Sequence, residues 1–207
     1  KVTDDIVRTV SPDVKCVRIP HTVDTNIFSP QDDHTKNTVR RKISEDHENK
    51  TIFFWNNRNA RRKQSGSLIF WFKEFLDRVG HDKAVLVMHT EPKDPNGQDL
   101  VAIMENLGLI NGEVILSTQK LPPQELANVY SAVDCTVNIS DAEGFGLATL
   151  ESLSSATPII VSMTGGLQEQ VTDGEDWFGI GLEPSSKAII GSQDVPYIYE
   201  DRLKDKS

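Results

Sequence analysis

The sequence predicts an α/β fold, a Rossmann-like parallel sheet with helices on both faces, and three observations lead there. Short apolar runs at 51–55, 84–88 and 158–161 lack polar alternation, as strands buried on both faces do. Segments with apolar residues at helical spacing separate them. From residue 51 to residue 171 the two patterns alternate, and right-handed crossovers fold such a chain into one doubly wound layer.

Taken in order, residues 14–19 (VKCVRI) read as a short strand. Pro20 and Pro30 bracket a loop carrying His21, Asp24 and Phe28. Residues 29–50 are polar with few apolar anchors and read as a flexible connection, with room for a short helix over 35–43. A strand at 51–55 follows, then a helix at 67–79 built on Leu68, Ile69, Phe72, Phe75, Leu76 and Val79. Strands are expected at 84–88, 113–116, 134–139 and 158–161. Helices are expected at 98–107, stopped by Gly108, at 123–132, with Pro123 in its first turn, and at 145–155. Gly165 and Gly166 open a helical stretch to 171. Beyond Trp177 the pattern weakens, and 195–199 reads as one more strand or an ordered crossing. Residues 1–50 are thus read as a connection with a first strand and a polar loop, and 51–207 as the Rossmann-like domain.

The chain has 207 residues, of which 37% are hydrophobic, enough for one domain with its own core. A net charge of -9 argues against a general nucleic-acid binder. No apolar run is long enough to span a bilayer, and no basic-then-apolar leader opens the chain. The first residue is Lys, so an upstream segment is expected, and a cytoplasmic location is the default. Cys16 and Cys135 sit in apolar, strand-like stretches and read as two buried free thiols in a reducing compartment. The histidines, His21, His34, His47, His81 and His89, show no metal-ligand spacing. His47 and His81 read as exposed, and His89 as a polar strand end.

Ligands of such sheets bind at the carboxyl ends of the strands, so the loops after Trp55, Met88, Leu116, Ile139 and Val161 are the ones to inspect. After Ile139 the chain reads Ser140-Asp141-Ala142-Glu143-Gly144-Phe145-Gly146-Leu147, and a helix then carries Glu151. Glycines allow close approach to the backbone, a helix start offers free N–H groups, and two carboxylates accept hydroxyl hydrogen bonds. That set suits a polyhydroxylated ligand better than a bare phosphate. Glu143 by itself is better explained as an acidic first turn favouring the helix dipole. After Trp55 a basic cluster holds Arg58, Arg61, Arg62 and Lys63. Arg58 and Lys63 span a loop and can converge on one diphosphate, one as a planar fork and one as a point charge. For Arg61 and Arg62 the reading is solvated surface charge. No G-x-G-x-x-G or G-x-x-x-x-G-K-[ST] follows any strand, and no Asp-x-Asp metal clamp occurs.

Four ordered segments resemble the large retaining GT-B glycosyltransferase family that includes sucrose synthase and many bacterial mannosyl- and glucosyltransferases. They run from Ile19 to Phe28, from Asn57 to Lys63, from Leu121 to Asp134 and from Glu143 to Glu151. Gly165-Gly166 before Glu169 fits the same pattern. The resemblance implies the C-terminal, donor-binding domain of a two-domain transferase that retains anomeric configuration without a metal or other cofactor. The substrate it implies is a nucleotide-diphosphate sugar. Arg58 and Lys63 match the diphosphate-binding pair, Glu143 the carboxylate on the transferred sugar, and Glu151 the one on the ribose. Arg58, Lys63 and Glu143 would thus carry the chemistry. The backbone N–H groups of Gly144, Phe145, Gly146 and Leu147 would meet sugar and phosphate, with the base near Lys120 and Leu121. Thr22 and Asn57 stand where the family has glycine. The acceptor, unidentified, belongs on an N-terminal domain outside this chain, and residues 1–13 read as the end of the connection to it. That domain offers a second route to location, at a membrane periphery. A non-catalytic nucleotide-sugar-binding module, and a GT-B-like phosphorylase or epimerase, remain the alternatives.

Overall fold

The computed structural model describes residues 2–17, 19–190 and 198–202. Six strands build one parallel sheet: β1 (Thr51–Asn56), β2 (Ala84–His89), β3 (Val114–Ser117), β4 (Cys135–Asn138), β5 (Ile159–Ser162) and β6 (Gly179–Leu182). Their order is β3-β2-β1-β4-β5-β6, with Thr51 opposite Ala84 across one side of β1 and Phe53 opposite Cys135 across the other. The chain winds outward from β1 to β3, then returns to lay β4 on the other side of β1. The winding thus reverses between β1 and β4, and sheets of this topology take ligands at the carboxyl ends of the strands flanking such a reversal.

Helices cover both faces, as the apolar strands require. On one face α3 (Ser65–Val79) and α4 (Leu100–Leu107) enclose Trp55, Leu86, Met88, Val137 and Ile139. On the other, α5 (Pro123–Ala132) covers Ile52, Phe54, Val85 and Val87 with Ala127, Tyr130 and Val133, while Ala148 of α6 (Leu147–Ser154) packs alongside. Short α7 (Gln168–Val171) seats Val171 on Ile159 and Val161. Burial of each such large side chain contributes about 1.5–3 kcal/mol. The stop at Gly108 acts as read, ending α4 at φ 74, while Asp99 accepts from the Ala102 N–H at 3.0 Å to start it. Beyond α3, a groove of about 630 Å³ lies open between Phe53, Trp71, Phe75, Val137, Ile160 and Leu182.

Several expectations are corrected. Residues 14–17 and 19 form no strand, and Val17 and Ile19 are exposed, so their apolar side chains find no sheet. A helix, α1 (Val2–Val10), precedes them. In the polar stretch the helix allowed for over 35–43 is present as α2 (Asp33–Ile43), capped by Asp32, but it is docked on α5 rather than part of a flexible connection. Its anchors include Ile43, packed on the core beside α5, and Arg40, which donates to the Ala132 carbonyl at 2.8 Å and to Asp134 at 3.1 Å. Cys16 is only half-buried; Cys135 is buried, which pushes its thiol up to about 12. Strand β6 was not anticipated. Its glycines look like a loop in sequence, yet a Cβ on Gly179 would come within 2.2 Å of the Ile159 carbonyl, so only glycine fits this close strand pairing. Two further strands, β7 (Ser186–Ile190) and β8 (Ile198–Arg202), pair antiparallel. The strand expected at 195–199 overlaps β8 at its end, and 195–197 lie outside the described residues. No helix among the described residues is long and apolar enough to cross a membrane.

Candidate functional site

The loop after β1 is shaped by Asn59, which is fully buried. Its amide donates to the Pro92 and Gln98 carbonyls at 3.2 and 2.7 Å, and its Oδ1 accepts from Ser65 Oγ at 2.7 Å. The loops after β1 and β2 are thereby stapled together. Arg58 lies on the outside of this staple, 64% exposed, and forms a two-point ion pair with Asp94, Nε–Oδ2 2.7 Å and Nη2–Oδ1 3.2 Å. That guanidinium, with the Asn96 backbone N–H, holds the Asp94 carboxyl far below the ordinary range.

A single turn at 61–63 ends on Gln64 in the left-handed region at φ 56, and the turn swings Lys63 inward. Lys63 is buried, and its Nζ donates to Glu143 Oε2 in the loop after β4. Burial pushes the Lys63 ammonium down from its ordinary value, and the Glu143 carboxylate opposes that shift. Around this pair the two loops are laced together. The Asp141 N–H donates to the Arg62 carbonyl at 2.8 Å, and the Gln64 amide donates to the Asp141 carboxylate. Arg62 Nη1 donates to the Ala142 carbonyl at 2.6 Å and lies 3.7 Å from Glu143 Oε2. Arg62 is therefore a structural tie between the loops, which corrects its reading as mere surface charge.

The Glu143 loop is pressed from below by the turn after β5. A Cβ on Gly165 would fall 1.7 Å from the Glu143 carbonyl, and one on Gly166 2.5 Å from Phe145 Cα. Gln170 Nε2 donates to the carbonyls of Phe145 and Gly146 at 2.6 and 3.0 Å. The ring of Phe145 packs against His21 at 4.9 Å. Gly144, by contrast, faces open space: nothing lies within 4 Å of where its Cβ would be. The helix expected from 145 starts at Leu147, half-exposed, because Gly146 adopts φ 89 ahead of it, and no side chain caps that start.

Glu151 lies in the second turn of α6, half-buried, where desolvation raises its carboxyl above the ordinary value. Its Oε2 accepts from the Tyr130 hydroxyl at 2.9 Å, and that hydroxyl accepts from Asn56 Nδ2 at 2.9 Å. Burial holds the Tyr130 phenol well above its usual range. Sequence reading missed both partners; the signal available was a tyrosine one helical stretch before the glutamate. Leu121 is half-buried in the turn between β3 and α5, with Lys120 exposed beside it. His89 bonds Ser117 Oγ at 2.9 Å, as a polar strand end does.

The structure thus joins Lys63 to Glu143 and sets Glu151 on a separate relay, while Arg58 engages Asp94. Buried polar atoms without a partner lie at this same edge: Asn57 Nδ2 after β1, Thr90 Oγ1 after β2, Asn138 Nδ2 in β4 and Ser162 Oγ in β5. Folded interiors leave few such atoms, so the edge is polar beyond what the fold consumes. Among the described residues no group of His, Cys, Asp or Glu is arranged as a metal site.

D-inositol 3-phosphate glycosyltransferase of Corynebacterium jeikeium is 30% identical over 174 residues, covering 82% of this chain and 41% of that protein. The chain therefore spans about two-fifths of that relative's length. The C-terminal domain of a group 1 family glycosyl transferase (LpcC) from Francisella tularensis shares the fold at TM-score 0.60 and 24% identity, covering 80% of this chain and 82% of that one. Anabaena Alr3699/HepE, solved with UDP and glucose, shares it at TM-score 0.63 and 18% identity, covering 78% and 41%. A family model described as glycosyl transferases group 1 matches residues 35–191. That match takes in both loops joined by the Lys63–Glu143 pair and the α6 glutamate, and the chain belongs to the group 1 glycosyl transferases.

Proposed function

We propose that this chain holds the sugar donor of a glycosyltransferase, a nucleotide-diphosphate sugar lying across the carboxyl ends of β1 and β4. The single observation that carries the reading is the buried Lys63–Glu143 pair at the topological switch point. A diphosphate is the anion that competes for the Lys63 ammonium. A sugar supplies the hydroxyls that the released Glu143 carboxylate then accepts. The two halves of the pair are exchanged for the two halves of one ligand, so little charge is left buried and unpaired. The open space at Gly144 and the uncapped start of α6 give sugar and phosphate room beside backbone N–H groups. Arg58 turns from Asp94 to the diphosphate, and Glu151 accepts the ribose hydroxyls. The neighbour solved with UDP and glucose supports this ligand class.

In the reaction, positive charge from Lys63 and Arg58 stabilises the leaving diphosphate without a metal, and the sugar is transferred with retention. The acceptor is held by a further domain of a longer protein, consistent with the two-fifths span of the relative. Holding both reactants in register is worth roughly 7–11 kcal/mol, so this chain alone is expected to hydrolyse donor slowly and to transfer nothing. The test is calorimetric titration with UDP-, GDP- and ADP-glucose and mannose, once in EDTA and once in magnesium. Binding of at least one in EDTA is expected. Binding of none, or strict dependence on magnesium, overturns the proposal.

A further inference from the structure

We infer that Tyr130 is a positioning residue that fixes Glu151 to accept a ribose diol, and so sets the preference for ribose over deoxyribose in the bound nucleotide. The inference rests on the assignment of Glu151 to the ribose made above.

The relay has only one direction. The Asn56 amide nitrogen has hydrogens to give and no lone pair to accept with, so it donates to the phenol oxygen. The one phenol hydrogen then goes to Glu151 Oε2, at 2.9 Å. The phenol cannot turn away, because its ring is fully buried and gripped edge-on by Phe54 at 5.2 Å and Phe28 at 6.2 Å between centroids. Asn56 is equally fixed, as the last residue of β1 opposite His89 of β2. One carboxylate oxygen is therefore committed to a rigid neutral donor. Among the described residues no hydrogen bond is made to the other, Oε1, and no cation pairs with Glu151.

A half-buried carboxylate held by neutral donors keeps acceptor capacity and repels other acceptors, so its natural partner is a hydroxyl. A carboxylate pinned at Oε2 presents Oε1 in one place. A loose one would rotate to water and lose the ability to distinguish a diol from its absence. Burial favours the protonated acid, and the Tyr130 hydrogen bond opposes it, so the relay also favours the ionised, accepting form.

The test measures dissociation constants of a nucleoside diphosphate and its 2′,3′-dideoxy analogue, using whichever of UDP, GDP or ADP binds, for wild type, Tyr130→Phe and Glu151→Gln. Tyr130→Phe keeps the ring and its packing. Wild type should prefer the ribose form about tenfold or more, the loss expected for one hydrogen bond to a charged group. Tyr130→Phe should erase most of that preference by weakening the ribose form alone, leaving the dideoxy form within about twofold. It should also move upward the pH below which the preference is lost. Equal weakening of both ligands indicates a merely structural role and overturns the inference, as does an unchanged preference. If Tyr130→Phe does not fold, Asn56→Ala, which removes the donor that orients the phenol hydrogen toward Glu151, should shift the preference in the same direction; an unchanged preference there overturns the inference too. Preserved ribose preference in Glu151→Gln refutes the assignment of Glu151 itself, a failure separable from that of Tyr130. Absence of any nucleotide binding by wild type refutes both.

Discussion

Lys63 and Glu143, 80 positions apart in sequence, meet as a buried ion pair that bridges the loops leaving β1 and β4. Each side chain is about one-tenth exposed. Removing one partner leaves the other's charge buried, so Lys63→Met should destabilise the fold by about 3 kcal/mol. Adding Glu143→Gln should recover part of the loss, with a coupling of about 1–3 kcal/mol in urea unfolding. Strictly additive losses would mean the pair is not coupled.

Arg58 is differently placed. Its pair with Asp94 is open to solvent on the arginine side, where screening leaves such pairs weak. Asp94 is thus a weak competitor for the guanidinium. Arg58→Ala should weaken nucleoside diphosphate binding by about 1.5–3 kcal/mol. Asp94→Asn should strengthen it slightly, by less than Arg58→Ala weakens it. A larger loss from Asp94→Asn than from Arg58→Ala, read by calorimetry, would reverse these roles.

Much of the fold was legible because buried strands declare themselves. Continuous apolar runs located β1, β2 and β5, and Pro123 and Gly108 marked helix ends through fixed backbone demands. What escaped depends on partners remote in sequence. The docking of α2, whose helix the sequence allowed for, depends on Arg40 reaching the end of α5, and β6 is glycine-rich because it lies against the Ile159 backbone. At the site, residue types and spacing singled out Arg58, Lys63, Glu143 and Glu151. They could not reveal that Lys63 pairs with Glu143, that Asp94 engages Arg58, or that Tyr130 stands behind Glu151. The first of these arises only when the sheet order sets the loops after β1 and β4 side by side, the second joins the loops after β1 and β2, and the third joins α5 to α6.

Two glycines separate shape from binding. Gly165, at φ 50 and with no room for a Cβ beside the Glu143 carbonyl, should cost about 1–3 kcal/mol of stability when changed to alanine. Gly144→Ala meets nothing in the fold and should leave stability within about 0.5 kcal/mol. Its added methyl faces the space proposed for the sugar, so donor affinity should fall. Thermal unfolding and donor titration of both variants check this; unchanged affinity in Gly144→Ala argues for a ligand elsewhere.

The pH dependence of binding should report Glu151. Its carboxyl is raised above 4.5 by burial, and only the ionised form is a full acceptor for ribose hydroxyls. Affinity should therefore rise with pH through that raised value and fall as pH is lowered through it, starting above the ordinary glutamate range. The folded, ligand-free chain binds that proton more tightly than the unfolded chain does, so this group's contribution to stability runs oppositely, present at low pH and lost as pH rises. Titrations of wild type and Glu151→Gln across mildly acidic pH test the sign; the same slope in both would remove Glu151 from the account.

The most direct measurement is amide chemical-shift mapping of the isotopically labelled chain during titration with UDP, GDP and ADP in EDTA. The account predicts saturable shifts concentrated at 57–64, at Gly144 to Leu147 and around Glu151, and their loss in Lys63→Met at the same ligand concentration. Shifts confined to the open apolar groove around Trp71 and Phe75, or none with any of the three nucleotides, would contradict a donor site at the Lys63–Glu143 pair.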